Sequence, residues 1–234
     1  MKKRQPRLKK YAGSLTPEKI AEGINLSSRN AERLLHSAQL LFEAKDYASA
    51  ISLAILSIEE SGKASLLRGL ALADDEKSIK ECWKDYRTHI KKNVEFGLIT
   101  VLHQSKISLE DLKPLFMSDN AIPYQLDNLK QLGFYTDCLG DDGHWHTPVS
   151  YYSEDDADGI IKTAAIFCHQ DKTVTVREIE LWKECLKPVW MKTMTEMKQG
   201  LILWNKRMRE ERLVPDDDHF EDFVASGVDL GDLK

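Results

Sequence analysis

The sequence predicts an all-α protein, a bundle of five or six helices interrupted by one irregular insertion around residues 119–153. Three observations carry that prediction. Apolar residues recur at intervals of three and four over most of the chain. Helix-start signals stand at the head of those periodic runs. Turn-forming residues gather in the insertion, above all at Gly140-Asp141-Asp142-Gly143, which marks a candidate hairpin.

Thr16-Pro17-Glu18 combines a capping hydroxyl, a proline suited to the first helical position and an acid in the first turn. The helix it opens runs through Ile20, Ile24, Leu34, Leu35, Ala38 and Leu41 to about Ala44. Lys45-Asp46 breaks it, and Asp46 caps a second helix expected from Tyr47 to about Ala73. One stripe of this helix reads Ile51, Ala54, Ile55, Ile58, Gly62, Leu66; another reads Ala50, Leu53, Leu56, Glu60, Lys63, Leu67, Leu70. A helix apolar on two faces is central and mostly buried. Glu60 and Lys63 interrupt the second stripe, and Glu59 is spaced to pair with Lys63 at i, i+4. Charges at such positions are costly unless paired or lining a cleft.

Asp74-Asp75-Glu76 opens a third helix expected to reach Leu102, with Cys82, Trp83, Tyr86, Ile90 and Val94 on its stripe and His89 at the stripe's edge. Shorter helices are expected at Ser108–Phe116 and Pro123–Leu132. Longer ones are expected from Glu154 to about Gln170 and from Val176 to about Arg212.

The chain's 234 residues, 42% hydrophobic and 30% charged, suffice for a real core. No apolar run reaches membrane-spanning length, and the basic start MKKRQPRLKKYAGS is followed by no apolar stretch. The expectation is a cytoplasmic protein with no membrane partner. Cys82, Cys138, Cys168 and Cys185 are widely spaced and read as free thiols. The organisation expected is a basic flexible arm (1–14), a helical domain (15–212) and an acidic flexible tail (213–234).

One constellation suits chemistry. If the second and third helices pack side by side, Glu59, Glu60 and Lys63 share a level with Arg87, His89, Lys91 and Lys92. A histidine can move a proton near neutral pH, and lysine or arginine can stabilise charge on a phosphoryl group. The same residues also suit plain structural ion pairs. Asp137, Cys138, His144, His146, Cys168 and His169 are metal-ligand types, but their spacing matches no established zinc pattern, and no metal or other cofactor is expected. There is no phosphate-cradling G-x-x-x-x-G-K-[ST], no G-x-G-x-x-G and no G-x-S-x-G.

Four elements in order resemble the AbiV-type abortive infection proteins of the HEPN superfamily. They are Asn30-Ala31-Glu32-Arg33-Leu34-Leu35-x-x-Ala38; Ala50-x-x-Leu53-Ala54-Ile55-x-x-Ile58-Glu59-Glu60-x-Gly62-Lys63; Tyr86-Arg87-x-His89-x-Lys91-Lys92; and Lys130-x-x-Gly133-Phe134-Tyr135-x-Asp137, followed by Trp145-x-x-Pro148. The resemblance spans roughly residues 15–170. It implies a HEPN-like helical bundle, a homodimer, and a phage-defence effector that halts infection by blocking protein synthesis. It further implies RNA or the translation machinery as target, a phage-encoded activator protein, and metal-independent RNA cleavage in a groove between protomers. On that resemblance the catalytic residues would be His89 as acid/base with Arg87, Glu60 and Lys63. Lys91, Lys92, Glu59, Tyr135 and Asp137 would bind substrate. The sequence departs from the superfamily's arginine-to-histidine spacing: Arg87 is two residues from His89, Lys84 stands where an arginine would be needed, and literal matches fall only at Arg29…His36 and Arg212…His219. The alternative reading is a non-catalytic helical module that binds a phage protein or the translation machinery. A further one is a helical regulator in a toxin–antitoxin-like pair, its acidic tail occupying a partner's basic groove.

Overall fold

The computed structural model describes residues 8–88, 92, 106–107, 122–168, 173–215 and 220–229. They form the expected all-α bundle. Helix α1 (Pro17–Glu43) starts where Thr16 accepts a hydrogen bond from the Lys19 amide at 3.4 Å. Its end is set by Lys45, whose φ of 61° turns the chain back. Asp46 then caps α2 (Tyr47–Ser61) by accepting from the Ser49 amide at 3.2 Å.

Helix α2 is the central element. Its Ala50, Ala54 and Ile58 pack on Ala31, Leu35 and Ala38 of α1 and on Ile161, Ala164 and Cys168 of α6 (Glu154–Cys168). Its Ile51 and Ile55 pack on Leu126 of α5 (Ile122–Phe134) and on Ala157 of α6. The many alanines and serines at these contacts let helix backbones approach closely. The buried Ser57 hydroxyl donates to the Ala31 carbonyl across the α1–α2 seam at 2.7 Å, which keeps that polar group satisfied.

The single second helix expected from Tyr47 to Ala73 is two helices. Gly62 ends α2, and α3 (Lys63–Leu72) begins directly after it. A Cβ at Gly62 would collide with the carbonyl of Lys92, so the chain at Lys92 packs there against bare backbone and the position calls for glycine. Helix α4 (Glu76–Arg87) starts as predicted, with Asp75 accepting from the amides of Lys77 (2.8 Å) and Ser78 (2.9 Å). It ends at Arg87, where Thr88 takes an extended conformation; of the rest of the helix expected to Leu102 only Lys92, itself helical, is among the described residues. The expected helix at Ser108–Phe116 lies outside the described residues.

The last expected helix, Val176 to Arg212, is also divided. Helix α7 (Val176–Leu186) runs into a 3-10 turn at Lys187–Val189. Pro188 supplies no amide hydrogen to continue the helix, and Met191 has a φ of 58°. Thr193 and Glu196 form a reciprocal capping box that restarts the chain as α8 (Met194–Glu210). Residues 220–226, inside the expected tail, form α9 (Phe220–Ser226), docked on α8 by Phe220 against Trp204 and by Glu221 to Arg209 at 3.1 Å. At the other end, within the expected arm, Tyr11 packs edge-on against Trp83, and the Trp83 indole donates to the Gly13 carbonyl at 2.8 Å.

Strand content is small. The insertion holds the expected hairpin, β2 (Asp137–Leu139) antiparallel to β3 (His144–His146), with Gly140 and Gly143 at φ 78° and 67° in its turn. Lys106–Ile107 (β1) pairs antiparallel with Val228–Asp229 (β4). Among the described residues no helix is long and apolar enough to cross a membrane.

Candidate functional site

The break at Gly62 places two acid–base pairs on opposite sides of the α2–α3 junction. Glu59, in the last turn of α2, points inward and is 1% exposed. Its Oε1 accepts from Lys130 Nζ at 2.5 Å, and its Oε2 lies 3.6 Å from Lys92 Nζ. Lys130, 3% exposed, also reaches Asp127 one turn earlier on α5 at 2.7 Å. Glu60 points the other way and binds Lys63 at 2.5 Å, both side chains keeping some contact with solvent.

The expected i, i+4 pairing of Glu59 with Lys63 is therefore replaced by Glu60–Lys63. Glu60 and Lys63 meet across the junction at i, i+3 spacing, while the Glu59 side chain is turned into the core. Glu59 instead faces α5, a helix 71 positions further on. A buried carboxylate between two ammonium groups is tolerable only because each charge has a counter-charge at hydrogen-bonding or ion-pair distance.

Lys92 sits where the pairs meet. Burial pushes its ammonium below the usual lysine range; Glu59 opposes that shift, Lys63 adds to it, Glu60 opposes it and Lys130 adds again. The other four charges of the cluster are thus felt at one nitrogen. The backbone of Lys92 is also the group that presses on Gly62.

Outward from this cluster runs an aromatic ladder. Lys63 Nζ stands 5.3 Å from the centroid of the Tyr86 ring, Tyr86 meets Trp83 edge-on at 5.3 Å, and the Arg87 guanidinium lies 5.1 Å from the Trp83 ring. Arg87 also donates to the Tyr11 carbonyl.

Of the residues singled out in the sequence, Glu59, Glu60, Lys63 and Lys92 come together. Arg87 joins through the ladder rather than through direct contact with the carboxylates. His89 and Lys91 lie outside the described residues. Tyr135 and Asp137 stand apart at the far end of α5, both exposed; Asp137 Oδ1 accepts from the Cys138 amide at 2.8 Å. Lys130 was missed as a site residue, although it heads the fourth element of the AbiV-like pattern. The available signal was a lysine on the apolar side of a short helix, where an unpaired ammonium would be costly.

Among the described residues no group of three or more histidine, cysteine, aspartate or glutamate side chains is placed to hold a metal ion. His146 Nε2 instead bonds the Leu132 carbonyl at 3.0 Å, pinning the hairpin to the end of α5. All four cysteines are free. Cys168 lies with its sulfur 2.8 Å from the Ser57 hydroxyl.

The family model described as AbiV, one of the HEPN families, matches residues 19–169. No curated protein and no solved structure matches the chain significantly. The matched stretch runs from the first turn of α1 to the end of α6 and takes in the Glu59–Lys130–Lys92 cluster and the hairpin. By its sequence and its helical architecture together, the chain belongs to the AbiV family of HEPN proteins.

Proposed function

We propose that this protein is an abortive-infection effector that stops phage propagation by blocking translation, through metal-independent cleavage of RNA at the cluster around the α2–α3 junction. Family membership supports the defence role. The single observation that favours this site is the convergence of Glu59, Glu60, Lys63, Lys92 and Lys130 where the segment after α4 crosses Gly62.

The division of labour follows from exposure. Lys63, paired with Glu60 and keeping a solvent-facing surface, is able to meet a phosphoryl oxygen. Arg87, partly exposed on the same ladder, adds a second cation for the backbone. His89, close after Arg87 in sequence, is the proton-transfer group. An RNA 2′-hydroxyl then serves as internal nucleophile once a base removes its proton. Glu59 and Lys92 are too buried to touch RNA in this conformation, and we assign them to holding the crossing segment in place. A second copy of the chain completes the groove, and a phage-encoded protein is the proposed trigger.

The burial of Glu59, Lys92 and Lys130 also favours a second reading, in which the cluster is structural and the protein binds a phage protein or the translation machinery without cutting anything. Total RNA incubated with the purified protein in chelator separates the two. Fragmentation that disappears in His89→Ala supports cleavage at this site. Fragmentation that survives the substitution removes the site assignment, and intact RNA under activating conditions favours the binding module.

A further inference from the structure

The outer face of α5 carries a second feature that the charge cluster does not use. Asn128, Gln131, Leu132 and Tyr135 from α5 and its end, with Asp137 and Leu139 from β2, line an open cavity of about 540 Å³. That volume lies within the range of small-ligand clefts, roughly 300–1,000 Å³. Lys130 on the same helix turns inward to Glu59, while its neighbour Gln131 turns outward into this cavity.

The lining has a definite chemical character. Tyr135 is 61% exposed, and an aromatic ring left in water at the mouth of a cleft is a stacking surface. Two carboxamides supply both donors and acceptors, and Asp137 supplies acceptors only. The Asp137 carboxylate is oriented by its Oδ1, which accepts from the Cys138 amide, and the strand holding it is fixed by the hairpin and by His146 on Leu132. The hairpin turn adds Asp141 and Asp142, so the surroundings are acidic and repel phosphate.

We propose that this cavity binds an unpaired guanine base, a reading that rests on RNA being the target of the protein. Guanine offers two adjacent N–H donors on its Watson–Crick edge, which a single carboxylate can accept together. Adenine, cytosine and uracil do not present that pair. Tyr135 stacks on the base, Asp137 reads the edge, and Asn128 and Gln131 address the remaining polar atoms.

The test is calorimetric titration of the full chain with guanosine, GMP, AMP, CMP and UMP. GMP is expected to bind at least about tenfold more tightly than the other three nucleotides, and guanosine at least as tightly as GMP. Asp137→Asn should erase the guanine preference. Tyr135→Ala should weaken every base about tenfold while Tyr135→Phe retains binding. Both positions are exposed, so circular dichroism should show the variants folded. Equal binding of the four nucleotides, a guanine preference that survives Asp137→Asn, binding of GMP without guanosine, or no binding at all would each overturn the proposal. Guanine binding without RNA cleavage would count against the catalytic reading alone. Cleavage with no guanine preference would count against this cavity alone.

Discussion

Replacing Glu59 by glutamine tests whether the buried carboxylate holds this end of the bundle together. The substitution keeps shape and removes one negative charge from between two ammonium groups, at 2.5 Å and 3.6 Å. At an effective dielectric constant of about 20, the gross attractions at those distances are roughly 7 and 5 kcal/mol, most of it offset by desolvation. Breaking a buried pair by removing one partner costs about 3–5 kcal/mol. Lys130 retains Asp127 at 2.7 Å, and the glutamine oxygen still accepts a hydrogen bond, so the lower end, about 3 kcal/mol, is expected. For a chain of this size that corresponds to a Tm lower by roughly 6–12 °C. Thermal and urea unfolding followed by circular dichroism would measure it. The double variant Glu59→Gln, Lys130→Met should lose clearly less than the sum of the singles, because both substitutions break the same Glu59–Lys130 pair. A Glu59→Gln cost below about 1 kcal/mol, or strict additivity with Lys130→Met, would refute the counter-ion role.

Two further outcomes follow from the same geometry. Gly62 has ordinary helical dihedrals (φ −63°, ψ −11°), so alanine there would normally stabilise by about 0.4–1 kcal/mol. The Lys92 carbonyl reverses the sign, and Gly62→Ala should destabilise by about 1–3 kcal/mol in urea melts; a stabilised variant would mean that the crossing backbone is not there. Tyr152 donates to the Leu129 carbonyl at 2.6 Å, and burial pushes its phenol up to about 12. The folded state therefore prefers the neutral phenol, a contribution present below the unfolded value of about 10 and lost as pH rises from there through about 12. The ultraviolet phenolate difference between the wild type and Tyr152→Phe should titrate near the upper value; a midpoint near 10 would contradict the assigned burial.

What was legible in the sequence was local. Thr16, Asp46 and Asp75 each cap a helix through an amide two or three residues away, so the signal and its structural consequence lie in the same few positions. The two apolar faces of α2 announced a central helix because periodicity alone carries that information. The close approach at Gly62 was not legible, since the group that excludes a Cβ there is a carbonyl thirty residues downstream. The partner of Glu59 was hidden for the same reason. Spacing offered Lys63, four residues away, whereas the fold supplied Lys130 from α5. The division between α7 and α8 is a different case. Pro188 and the Thr193–Glu196 capping box are local signals that a long apolar pattern overrode.

The paired acids of α2 let one junction serve packing on one side and carry the proposed site on the other. Neighbouring residues on a helix point about 100° apart, so adjacent glutamates at a helix end face different sides. Glu59 faces the core, where Lys92 and Lys130 tie the segment after α4 and the helix α5 to the same carboxylate. Glu60 faces outward and holds Lys63 over Tyr86, next to the Trp83–Arg87 stack. The inner set holds Lys92 beside Gly62. Inner substitutions should therefore lose function together with stability, while Lys63→Met or Arg87→Met should lose function in a protein that melts nearly as before. An inner variant that lost activity at an unchanged Tm would instead place Glu59 in direct contact with the reaction.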